Sequence, residues 1–259
     1  MTLSSTEIDD LRSAKLLLEN PGLASKISSV IGLPIERGFG LLPGKWNLAV
    51  NAAARKSIET AFDVALWTLV HKQQKPPANW WHKLAAGTSG AAGGAFGISA
   101  LAIELPISTA IILRSIADIA RSQGENLMDP GARIQCIQVL ALGGKPNLDD
   151  AAQTSYFAAR AAMAKAVTDA ARHLAGKGLA DKSAPAIIRL IAQIASRFSI
   201  VVSEKAAAQA LPVIGAFGGA LINTLFIDHF QDMGKGHFIV RRLERHHDPE
   251  VVRRIYLEL

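Results

Sequence analysis

An all-α fold follows from three observations on this 259-residue sequence. Ala and Leu abound while aromatic residues make up only 6%, and no long run is dominated by the β-branched residues that favour strand over helix. Asn-Pro or Asp-Pro pairs stand at 20–21, 129–130 and 248–249, where the side-chain oxygen caps free amides and proline suits the first helical position. Two stretches are almost free of charge: 84–113, with Glu104 as its one charged residue, and 206–227, with none. Each is long enough to cross a bilayer, yet both are rich in Gly, Ala and Ser, which suit close helix contact better than lipid. The expected architecture is a single compact multi-helix bundle. Two Gly/Ala-rich hydrophobic helices form its core, and a short helical extension precedes it.

Taken in order, the first helix is expected over 5–19, ending at Asn20-Pro21. Residues 22–45 carry several glycines with Pro34 and Pro43, a hinge or broken helix pair that closes an N-terminal extension of 1–45. The main helical domain is expected over 46–259. Its helices are predicted at 46–72, 80–99, 105–123, 130–142, 148–174, 184–197, 204–227, 228–246 and 249–257. Gly143 and Gly144 suit a left-handed helix end before the restart at NLDD. FSIVVS at 198–203 reads as an extended link or a short strand.

The net charge of +6 is spread along the chain rather than gathered in one arm, so no specific nucleic-acid partner is expected. The single cysteine, Cys136, excludes an internal disulfide and a cysteine-rich metal site. The first residues, MTLSSTEIDDLRSAK, carry early acids and no apolar segment, which argues against a secretory signal and for a cytoplasmic protein. GFGLLPGKW at 38–46 fails as a phosphate loop, because five residues separate Gly38 from Gly44 and Trp46 stands where Ser or Thr would hold magnesium. HExxH, CxxC, GxSxG and GxGxxG are all absent. The sequence specifies no cofactor.

Four features remain. Gly90 with Gly94, Gly93 with Gly97 and Gly215 with Gly219 are each four apart, on one helix face, which suits either tight internal packing or a lipid-lined surface. Glu104 lies in an apolar run and needs a partner, a proton or a function, because an isolated buried charge is costly. Arg114 and Asp118 follow it on the same helix, with Asp118 within roughly 40° of its face. In the run from Gly218 to His247, Asn223, Asp228, His229, Asp232 and His237 crowd polar groups behind an apolar helix. Glu104, Arg114 and Asn223 are therefore the ligand-binding candidates, and Glu104, Asp118, His229 and His237 the acid–base candidates. Glu104, Asp228 and His229 are the metal-ligand candidates. Trp80 and Trp81, between Lys75 and Lys83, suit a lipid headgroup layer, since indole is amphipathic and ammonium reaches phosphate.

GAAGGAFG, ELPISTAIILRSIADIA, DPGARIQCIQVLALGG, SRFSIVVSEKAAAQALPVIGAFGGALIN and FIDHFQDMGKGHFIVRRLER occur in that order over roughly 80–256. In this the chain resembles the EcsC protein family, whose founding member is encoded beside an ABC transporter and whose biochemical role is unknown. The resemblance implies a bacterial protein, cytoplasmic or peripheral at the inner face of the cell membrane. The expectation is a membrane-associated helical protein with a cavity for lipid or another apolar ligand. The alternatives are a hydrolase acting on an apolar substrate, and an accessory partner of a membrane transporter.

Overall fold

The computed structural model describes residues 3–19, 22–67, 97–143, 155–177, 184–211 and 215–259. Among these the fold is all-α. The ten helices are α1 (Ser5–Glu19), α2 (Leu23–Ile31), α3 (Glu36–Phe39), α4 (Trp46–Trp67), α5 (Gly97–Ser122), α6 (Pro130–Gln138), α7 (Ser155–Lys177), α8 (Pro185–Gln209), α9 (Gly215–His246) and α10 (Pro249–Glu258). A 3-10 turn, Val139–Ala141, extends α6. Helices α4 and α9 each pack on both α5 and α8, with α1 laid along α9, and α6 and α7 closing a further side.

The caps explain several boundaries. The Asp129 side chain accepts from Gly131 N at 3.0 Å, and Asp248 accepts from Glu250 N at 2.9 Å, each with proline at the first helical position. Ser4 and Glu7 form a reciprocal capping box before α1: Ser4 N donates to Glu7 Oε2 at 2.8 Å, and Glu7 N donates to Ser4 Oγ at 3.3 Å. Gly32, at φ 74°, ends α2 in the left-handed conformation and donates to Ser28 O. Asn20-Pro21 lies outside the described residues.

Five expectations are corrected. FSIVVS is neither strand nor link but the middle of α8, because Phe198, Val201 and Val202 fall on its buried face. The Ser199 and Ser203 hydroxyls bond back to the carbonyls of Ser196 and Ser199 at 2.8 and 2.7 Å, so tertiary burial overrides the weak local preference. Residues 206–227 do not form one helix: α8 ends at Gln209 and α9 begins at Gly215, and Pro212 disfavours helix at the residue before it. By contrast, α9 does not divide at 228, and α5 runs through Pro106 from Gly97 to Ser122. Gly143 is not a left-handed cap, since Gly32 and Gly124 are the positive-φ glycines among the described residues. It is small for another reason: an added Cβ would stand 2.5 Å from His229 Nε2.

Glycine does mediate close approach, at positions outside the expected tracts. An added Cβ at Gly236 would meet Leu18 Cγ at 2.6 Å, and one at Gly38 would overlap the Ala207 carbonyl, where α3 presses on α8. Gly219 faces open space, and Gly90, Gly93 and Gly94 lie outside the described residues. Gly38→Ala is accordingly expected to cost about 3 kcal/mol or more, since backbone must move against backbone. Gly219→Ala is expected to add up to about 1 kcal/mol through helix propensity. Urea unfolding of the two variants checks the contrast, and equal midpoints would refute it.

Candidate functional site

At one end of the bundle α5 and α9 begin and α8 ends. The fifth residue from the end of α8 is Lys205, placed on the buried face by the spacing Phe198, Val201, Val202, Lys205 and fully enclosed at 0% exposure. Its Nζ donates to Glu104 Oε1 at 2.9 Å, Glu104 Oε2 at 2.8 Å and Asn223 Oδ1 at 2.9 Å. The Phe226 ring centroid lies 4.4 Å away, offering its negative face to the cation. An ammonium has three protons to give, so three acceptors satisfy it completely. Burial lowers the Lys205 pKa, and the charge and hydrogen bonds of Glu104 oppose that shift. The geometry supports the charged form, because neutral amine could not donate three times. The Glu104 side chain is 20% exposed, so the pair meets solvent from the carboxylate side alone.

Below this, Phe226 and Phe230 of α9 pack with Phe198 of α8, ring centroids 5.2 to 6.0 Å apart. Further along α9 a second polar cluster centres on buried His237. Its Nδ1 lies 3.0 Å from Tyr156 Oη and its Nε2 3.2 Å from Gln135 Oε1. Gln135 Oε1 only accepts, which assigns the proton to Nε2 and leaves Nδ1 to accept from the Tyr156 hydroxyl. The Tyr156 oxygen in turn accepts from Arg160 Nη1 at 3.2 Å, while Arg160 holds Glu244 at 2.8 and 2.9 Å in a two-pronged pair. Burial first, then Arg160 and Arg241, hold the His237 pKa well below its ordinary value. Burial likewise raises the Tyr156 pKa. This cluster is a neutral imidazole locked in one tautomer.

The EcsC protein family model matches residues 7–243. The chain belongs to the EcsC protein family. No curated protein and no solved structure matches it. The family match reaches into the N-terminal region, where α1 packs on α9.

In this EcsC-family chain, Glu104 and Asn223, far apart in sequence, are brought together on Lys205. Arg114 lies ten residues beyond Glu104 on α5 and is half-buried. Asp118 is 76% exposed and pairs with Arg121 at 2.6 Å. Asp228 is exposed, and Asp232 pairs with Lys26 at 2.9 Å. His229 is buried, and its Nε2 donates to Gly143 O at 3.2 Å. Among the described residues no three His, Cys, Asp or Glu side chains are grouped to hold a metal ion. Lys75, Trp80, Trp81 and Lys83 lie outside the described residues. Lys205 escaped notice because a lone lysine at the border of an apolar run reads as a solvated helix end. The signal that could have found it was its register with Val201 and Val202.

Proposed function

We propose that this EcsC-family protein works at the inner face of the cell membrane, presenting to lipid the end of the bundle that carries Glu104, Lys205 and Asn223. The observation that carries this reading is a pair of exposed apolar side chains on the same helical turns as the polar centre. Ile103 on α5 is 71% exposed and Leu221 on α9 is 42% exposed, each one or two residues from a side chain bonded to Lys205. Large apolar side chains left in water at this level of the bundle suit a surface that is itself apolar with anionic heads. In sequence, Trp80, Trp81 and their flanking lysines precede α5, and the net charge of +6 favours anionic lipid. Among the described residues one helix, Pro185–Gln209, is long and apolar enough to cross a membrane, with mean hydropathy 1.6 over its most apolar window and 39% of that window buried. It contributes Phe198, Val202 and Lys205 to the core, so surface attachment is the simpler mode.

A hydrolase reading sets Glu104 or Asp118 as base with His229 or His237 as its partner. Here Glu104 is paired with Lys205, and His237 with Tyr156 and Gln135, which favours the lipid-facing reading. Flotation with anionic vesicles is expected to retain the protein. Ile103→Asp with Leu221→Asp should weaken retention about tenfold or more, because burying one such side chain is worth about 1.5–3 kcal/mol; Trp80→Ala with Trp81→Ala should weaken it too. Recovery of the wild-type chain only in the unbound fraction would overturn the reading.

A further inference from the structure

The cradle around Lys205 holds an anion in a particular way. Two of its three acceptor atoms belong to one carboxylate, and that carboxylate is the partly exposed member of the set, at 20% against 0% for Lys205. Glu104 is open to water on one side and can turn outward, whereas Lys205 is fully enclosed with the Phe226 ring over its ammonium and cannot follow it. A buried ammonium left without a counter-charge is strongly unfavourable, so Glu104 leaves only if another anion enters. The incoming group must present at least two oxygens to one ammonium, as a carboxylate or phosphate does. On the α5 side, Ile103, the residue before Glu104, is exposed and suits an apolar chain attached to that head.

We infer that Glu104 is an internal stand-in for the anionic head of an amphiphile, and that such a head, phosphate or carboxylate, exchanges with Glu104 on Lys205 and Asn223. The inference rests on the lipid-facing reading for its apolar tail but not for its anion site. Asn223 supplies the neutral third acceptor in the free state; its amide can rotate to donate to an oxygen of the entering head. Phe226 closes the fourth side of the ammonium in either state. The stand-in keeps the site closed in water and makes occupancy depend on the local density of anions.

The test uses soluble probes without vesicles, so that it can fail while flotation succeeds, or the reverse. Glu104→Ala, full length, should melt below wild type. Octyl phosphate below its micelle concentration should raise that midpoint saturably, with half-saturation about tenfold lower than inorganic phosphate because the tail adds apolar burial. Glu104→Ala combined with Lys205→Met should respond to neither probe. Equal half-saturation by the two probes would overturn the amphiphile in favour of a free anion. A response that survives Lys205→Met, or none in Glu104→Ala, would overturn the site. Should Glu104→Ala fail to fold, Glu104→Gln, which keeps the shape and removes the charge, is expected to show the same preference for octyl phosphate and the same dependence on Lys205.

Discussion

Glu104→Ala lowers the unfolding free energy by about 3–5 kcal/mol, the usual cost of breaking a buried ion pair from one side. The ammonium it strands has no exposure to water, and Asn223 Oδ1 alone remains to receive three protons. Lys205→Ala falls at the lower end of that range, because the 20% exposed carboxylate can partly rehydrate. Replacing both partners, Glu104→Met with Lys205→Met, should recover most of the loss, since an apolar pair of similar volume carries no desolvation cost. Urea unfolding of the two singles and the double at neutral pH measures the coupling. A loss below about 1 kcal/mol in Glu104→Ala would place the pair with ordinary surface salt bridges and would remove it as the organising feature of this end of the bundle.

The second large effect is acid sensitivity through His237. Its folded pKa lies well below 6.5 because burial, Arg160 and Arg241 disfavour the imidazolium. Below 6.5 the unfolded chain therefore binds a proton that the folded chain refuses. Stability is fully present above 6.5 and falls as pH drops toward the folded pKa, by up to about 1.4 kcal/mol per pH unit. Glu7, held down to about 2 by hydrogen bonds from His247 and Ser4, adds its own loss only as pH falls from 4.5 toward 2. The interval from 6.5 to 4.5 thus separates the imidazole from that carboxylate. Chemical denaturation across it should give a slope that flattens in His237→Gln, whose amide can still meet Tyr156 and Gln135 without titrating. An unchanged slope would assign the acid sensitivity elsewhere.

Much of the fold was legible because its signals are local. Ala and Leu content predicts helix, and Asp129-Pro130 and Asp248-Pro249 mark helix starts by their own chemistry. Whether α8 continues through FSIVVS and α9 through position 228 is set by contacts from distant segments. Val201 and Val202 sit on the buried face of α8, and Gly236 lets α9 pass close to Leu18 and Ala14 of α1. The site divided in the same way. Glu104 stood out as a charge in an apolar run and Asn223 as an amide in another, so both were readable as groups in need of a partner. That partner, Lys205, is ordinary in sequence and exceptional only in its burial. His229 and His237 were equally visible as residue types. Their partners, the Gly143 carbonyl, Tyr156 and Gln135, are more than 80 positions away and could be supplied only by the packed structure.

The central claim, that the Glu104 end of the bundle faces lipid, is tested most directly by nitroxide labels at positions 103 and 221, compared with labels at the exposed Leu16 of α1 and Leu257 of α10. With the protein bound to anionic vesicles, labels at 103 and 221 should become more accessible to oxygen and less accessible to a water-soluble nickel complex. Labels at 16 and 257 should stay aqueous. Vesicle-bound protein whose labels at 103 and 221 remain as aqueous as those at 16 and 257 would contradict the account.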